Sequence, residues 1–123
     1  IGLDRLVLIS DSMAAAGAPD GDYLIAGTPA HVVDGIARTP DGALAGSTLD
    51  LRRAVENLAR FCNITIADAV KAATLNPAAE VGLAGEVGTI APGARADMLF
   101  CHVDENEKKI DLCRVFVGGK EIK

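Results

Sequence analysis

Large aromatic side chains are nearly absent. The 123 residues include no Trp, one Tyr and three Phe, so aromatics make up 3%. Any core must therefore be built from Ala, Val, Ile and Leu, which dominate a hydrophobic fraction of 50%. Basic runs are missing too. No more than two cationic residues follow one another, and the formal net charge is -5. That excludes the basic face by which a protein binds nucleic acid. Cysteine is scarce: Cys62, Cys101 and Cys113 form no C-x-x-C pair and no Cys/His metal spacing. Free, buried thiols in a reducing, cytoplasmic compartment are expected. No apolar run approaches the ~20 residues of a membrane span, and no charged-then-apolar leader opens the chain. Repeats and low-complexity tracts are absent. The chain starts on Ile, with a strand expected within five residues. Such a start is expected of a chain that begins inside a larger fold.

What is present is well punctuated. Leu6 to Ile9 is a short continuous apolar run, the pattern of a strand buried on both faces in a parallel α/β sheet. Small residues, Pro19 and Asp20-Gly21 mark the loop that follows. Tyr23 to Ala26 and Ala30 to Val33 read as a hairpin across Gly27-Thr28. Asp34-Gly35 turns the chain into Ile36–Arg38, and Asp41-Gly42 turns it again. Ala45-Gly46-Ser47-Thr48 leads into a helix, with Ser47 or Thr48 as its cap. That helix places Leu51, Ala54, Val55, Leu58, Ala59 and Cys62 on one face. Arg52, Arg53, Glu56 and Arg60 lie mostly off it, and Asn63 ends it.

Thr65 with Asp68 predicts the cap of a second helix. Asn76-Pro77 predicts a junction to a third, ending at Gly82. Beyond it, Gly85, Gly88, Pro92 and Gly93 punctuate a loop. Asp97 to Val103 reads as a strand, 104 to 109 as a solvated turn, and Ile110 to Val117 as another strand. Gly118-Gly119 is a two-residue hairpin loop. The fold class is α/β for residues 1–83, followed by part of an all-β piece over 84–123.

Candidate chemistry starts at Asp11. Strand ends in parallel α/β folds open onto the ligand crevice, and the small residues Ala14 to Gly17 leave room beside this carboxylate. An ordinary turn or capping acid fits the same position. Ala45, Gly46 and Ser47 expose main-chain amides that suit an anion or a hydroxyl-rich ligand, and plain capping also explains them. His31 and His102 fall in strand patterns with no second ligand at metal spacing. Asp20, Asp34 and Asp41 are accounted for by turns.

Five stretches in order carry a resemblance: LISDSMAAAG at 8–17, DGDY at 20–23, DGALAGSTLDL at 41–51, AATLNPA at 72–78, and GxIxPGxxAD at 88–97. Together the chain resembles the C-terminal third of the N-acetylglucosamine-6-phosphate deacetylases, within the amidohydrolase superfamily. The last two stretches are shared widely in that superfamily, and the first three narrow the match.

The resemblance implies the last strand, a meander insert and the closing helices of a metal-dependent hydrolase (β/α)8 barrel over 1–83. It implies part of a small β-sandwich domain over 84–123. Asp11 would be the catalytic acid/base. Ala45, Gly46 and Ser47 would contact a sugar-phosphate substrate. A divalent metal, zinc or iron, would serve the parent enzyme, with its Glu and His ligands outside this chain and none bound by the chain alone. A homo-oligomer without nucleic-acid or membrane partners is expected. So is an isolated chain without activity. The alternative is a non-catalytic assembly module or complementing fragment derived from the deacetylase.

Overall fold

The computed structural model describes residues 2–122. Its elements fall into two compact units. One takes residues up to Leu8 and again from Val55 onward; the other is Ile9–Ala54.

The Ile9–Ala54 unit contains the predicted meander. β1 (Gly21–Ile25), β2 (Thr28–Val33) and β3 (Ile36–Arg38) pair antiparallel in that order. Ala26 and Gly27 have φ of 48° and 86°, and Asp34 and Gly35 have 51° and 70°. Positive φ at both central residues gives each turn the sense that matches strand twist. The Asp20 carboxylate accepts from the Asp34 and Gly35 amides and braces the second turn. Alternation then sorts the faces. Ala30, Val32 and Ala37 are buried, whereas His31, Val33 and Ile36 are exposed. Val32, Ala37 and Ala15 make the core, with Met13, Tyr23 and Ala45 packed against it.

Residues 6–9 depart from expectation. The backbone is extended at Leu6, with φ -92° and ψ 128°, but 6–9 is not a strand. Val7 is half-exposed and Ile9 is 74% exposed. A strand exists through its ladder, and among the described residues no strand runs beside this segment. Leu8 donates its amide to Ala72 O at 2.8 Å.

Helix α1 (Leu51–Cys62) begins later than the sequence suggests. Its first turn is capped by Asp50, whose carboxylate accepts from Arg53 N at 2.7 Å. Ser47 and Thr48 are spent elsewhere: Ser47 Oγ accepts from Leu49 N, and the Thr48 hydroxyl donates to Gly35 O. The predicted stop holds. Asn63 sits at φ 51°. Ile64 N donates to Ala59 O and Asn63 N to Arg60 O, the left-handed ending that satisfies the last carbonyls.

Val55 and Ala59 of α1 pack with Ile66, Ala69 and Ile110 to form the core of the other unit. Glu56, expected off the apolar face, is only 6% exposed. Its Oε1 accepts from Ile110 N at 2.8 Å in the unit's interior. The buried strand amide needs an acceptor, and this carboxylate supplies one.

Helix α2 (Ile66–Lys71) is capped as predicted, by Thr65 Oγ1 accepting from Asp68 N. Glu105 accepts from Ile66 N at the same end, where an acid is favoured by the helix dipole. The third helix, α3 (Leu75–Glu80), carries Pro77 inside its first turn, where its missing N–H costs nothing. Asn76 does more than mark a junction. It is buried, and its Nδ2 donates to Leu3 O at 2.8 Å and Leu6 O at 2.7 Å. Gly88 passes so near this region that a Cβ would lie 2.6 Å from Thr74 O, at φ 76°. Only glycine fits there.

β4 (Met98–Asp104), β5 (Lys109–Val117) and β6 (Lys120–Glu121) form a second antiparallel sheet in that order. Gly118 and Gly119, at φ 55° and 78°, make the predicted two-residue turn. The register shifts between Phe100, paired with Arg114, and Cys101, paired with Leu112. Cys113 is therefore the extra residue of a bulge. The expectation of buried thiols is wrong: Cys62, Cys101 and Cys113 are free but all exposed. Cys62 ends α1 outside its packed stripe, Cys101 lies on an open strand, and Cys113 is pushed out at the bulge.

Two outcomes follow. Asn76→Ala should lower the unfolding free energy by roughly 2 kcal/mol, since two carbonyls lose their donor; a urea midpoint equal to that of the parent chain would contradict it. The Asp68 carboxyl is held below the usual range, first by Lys71 and then by the Thr65 hydroxyl. That stabilisation is complete above the ordinary Asp range and is lost as the pH falls through the lowered value. Asp68→Asn should therefore flatten the acid side of the stability curve, and an unchanged slope between roughly pH 5 and pH 2 would refute the assignment.

Candidate functional site

Asp11 and the Ala45–Ser47 segment come together within the Ile9–Ala54 unit. Ser12 and Ser47 form a parallel bridge. Ser47 N donates to Asp11 O at 3.2 Å, and Met13 N donates to Ser47 O at 2.8 Å. One further bond runs in step with these. Ser12 Oγ donates to Leu49 O at 2.8 Å. Asp11 is exposed, and its backbone takes the left-handed φ of 49°. Asp tolerates this region better than most residues, and the bond from Ser47 N holds its carbonyl.

The substrate-segment candidates are placed by the meander. Ala45 N donates to Ala37 O at 3.0 Å, continuing from β3. Gly46 has φ 111°, and a Cβ on it would lie 3.2 Å from Met13 Cβ. Ser47 is half-buried. These residues do not enter a helix, as the sequence implied. α1 opens at Leu51, and Asp50 occupies its first-turn amide, so 45–47 offer a bent extended segment and no helix terminus.

The small-residue loop is less open than its composition suggests. Ala14 and Gly17 are exposed, but Ala15 is 1% exposed and belongs to the core. Ala16 N donates to Met13 O, closing a tight turn. The small side chains therefore serve packing as well as space.

The remaining candidates have other partners or none of the bonds described for this cluster. His31 Nδ1 lies 2.6 Å from Asp22 Oδ1, its cross-strand neighbour. An open depression among Asp22, His31, Val33, Ile36 and Arg38 includes neither Asp11 nor 45–47. Asp41 accepts from the Thr39 hydroxyl, which holds its carboxyl below the usual range. His102 is exposed in β4, and Asp104 accepts the Asn106 and Glu107 amides of a surface turn. Among the described residues, no group of three or more His, Cys, Asp or Glu could hold a metal ion. The residues present do not fit a metal centre, because one carboxylate beside main-chain groups is no ligand set. Among the described residues, no helix is long and apolar enough to cross a membrane.

Ser12 and Met13 are the participants that sequence reasoning missed. Both lie in the 8–17 stretch that carries the resemblance, but nothing in that stretch assigns them a role. Both act on partners far along the chain, and that proximity exists only in the folded unit.

A profile described as the amidohydrolase family matches residues 4–122, and the chain belongs to that family. The chain is 43% identical over 96 residues to the N-acetylgalactosamine-6-phosphate deacetylase of Escherichia coli O157:H7, a match over 78% of this chain and 26% of the relative. It is 36% identical over 105 residues to the N-acetylglucosamine-6-phosphate deacetylase of Vibrio furnissii, covering 85% of this chain and 26% of the relative. It covers 58% of a shorter relative from Escherichia coli (strain K12). Among solved structures, the N-acetylglucosamine-6-phosphate deacetylase of Thermotoga maritima superposes with a TM-score of 0.85 at 34% identity, covering 98% of this chain and 32% of that one. The chain thus spans 58% of the length of one of these relatives and about a quarter to a third of the others.

Gly46→Ala should lower the unfolding free energy by roughly 1–3 kcal/mol, from the strained φ alone. Adding Met13→Gly, which removes both side-chain atoms nearest the new methyl, should not restore stability, because relieving the contact leaves the backbone strained. Full recovery in the double variant would show that crowding, not φ, sets the requirement.

Proposed function

We propose that this chain is the C-terminal part of an N-acetylglucosamine-6-phosphate deacetylase, which hydrolyses the N-acetyl amide to glucosamine 6-phosphate and acetate. The observation that carries the reading is the Ser12–Ser47 bridge, in which Ser47 N bonds the Asp11 carbonyl. It brings the main chain of an exposed acid beside a segment of small residues, within a chain similar to such deacetylases along most of its length.

Amide hydrolysis needs a proton taken from the attacking water and given to the departing nitrogen as the C–N bond breaks. In this reading Asp11 performs both transfers, and its exposure leaves it free to reach both atoms. Ala45, Gly46 and Ser47 line the sugar's side. The divalent metal implied by the family, zinc or iron, would be held by other parts of the deacetylase. Residues 1–83 would complete a (β/α)8 barrel with its meander insert, and 84–123 would contribute the antiparallel sheet of a β-sandwich domain. Exposed side chains such as Ile9, Leu44, Ile90 and Leu99 supply apolar surface for the rest of the enzyme or a second subunit to cover. The three free thiols suit a cytoplasmic setting.

One observation favours a second sugar. The 43% identity is to a deacetylase of the galactosamine type, so the epimeric N-acetylgalactosamine 6-phosphate is the competing substrate.

The test measures acetate release from both sugar phosphates by the protein translated from the whole reading frame. Turnover of either is expected, and turnover of neither refutes the reading. The 123-residue chain alone should release no acetate. Asp11→Asn in the active protein should reduce kcat by roughly 10²–10⁴-fold with an unchanged circular dichroism spectrum.

A further inference from the structure

We infer that Ser12 is a positioning residue: its hydroxyl bond to Leu49 holds the Asp11 turn in register with Ala45–Ser47. The activity side of this inference rests on the deacetylase reading; the structural side does not.

Asp11 holds a left-handed backbone conformation, φ 49°, which Asp tolerates but which is sparsely populated by residues with a Cβ. Its carbonyl is held from one side by Ser47 N, at the long end of hydrogen-bond distances, 3.2 Å. The Met13 bond to Ser47 O follows at 2.8 Å. Both are main-chain bonds. Ser12 adds the one side-chain bond of the set, reaching past Ser47 to Leu49 O at 2.8 Å. Its acceptor is itself tied down, because Leu49 N donates to Ser47 Oγ at 2.9 Å. The stretch from Ser47 to Leu49 is therefore a stiff anchor, and Ser12 fastens the acid's turn to it at a second point. One point of attachment allows the turn to pivot and two do not. Small displacements of a reacting carboxylate are expensive in rate, up to about 10²-fold for 1 Å.

Ser12 is exposed and touches none of the proposed reacting atoms, so its replacement is a mild change to the fold. In the active deacetylase, Ser12→Ala should lower kcat by on the order of tenfold, the scale of one hydrogen bond, with KM unchanged within about twofold. Ser12→Thr, which keeps the hydroxyl, should restore most of kcat. An unaltered kcat in the alanine variant, or no rescue by threonine, overturns the inference. Amide hydrogen exchange in the 123-residue chain tests the fastening without any assay. Ser12→Ala should speed exchange at Ser47 and Met13 by roughly five- to tenfold and leave β1–β2 amides unchanged. Equal rates at Ser47 and Met13 overturn it. If the unsubstituted protein releases no acetate, the deacetylase reading falls, and the exchange rates alone decide for or against Ser12.

Discussion

Close main-chain approach is the constraint on which this protein depends. With so few large side chains, its buried positions are mostly alanine, and among the described residues Val32 is the largest fully buried side chain. Alanine cores bring backbones near one another and gain little from area alone. The main chain is then held by polar side chains that reach across to it. Glu56 accepts the Ile110 amide, Glu105 the Ile66 amide, and Asn76 donates to two carbonyls near the start of the chain. Among the described residues, no buried side-chain nitrogen or oxygen lacks a partner. A small core tolerates this only because every such group is paired.

The same constraint builds the candidate site. Gly46 lets the 45–47 segment pass against Met13. Ser47 bonds Asp11 and Met13 in parallel register beside it. A residue with a Cβ at 46 would strain the backbone at φ 111°. Glycine at 88 plays the corresponding part in the other unit, under the carbonyl of Thr74. Stability and site geometry are therefore two results of one packing mode, in which glycine and alanine permit the approach and hydrogen bonds hold it.

Local features were legible in the chain because their causes are local. Asp34-Gly35 and Gly118-Gly119 specify turns through φ, Thr65 caps through a bond three residues on, and Asn63 ends α1 through a conformation it tolerates. Asp11 and Ala45–Ser47 were legible as candidates because small residues beside an acid are visible without a fold. Other features resisted. Residues 6–9 have a strand's composition, but a strand needs a neighbour, and the run cannot say where one is. Glu56 looks solvated on a helical wheel and is buried by a strand amide supplied much later in the chain. The cysteines were assigned by average habit, which the bulge at Cys113 and the open strand at Cys101 override. Asp50 competes with Ser47 and Thr48 for the cap, and their tertiary bonds decide the outcome.

By itself, then, the sequence determined the turns, the meander, the end of α1, the cap of α2 and the membership of the chain in its family. Each depends on residue types at short spacing or on motifs in fixed order. Only the tertiary structure decided that Ser12 reaches Leu49, that Asn76 holds the Leu3 and Leu6 carbonyls, and that Glu56 lies inside. These contacts join residues far apart in the chain. Their energies depend on distance and burial, which residue order does not encode locally and packing does.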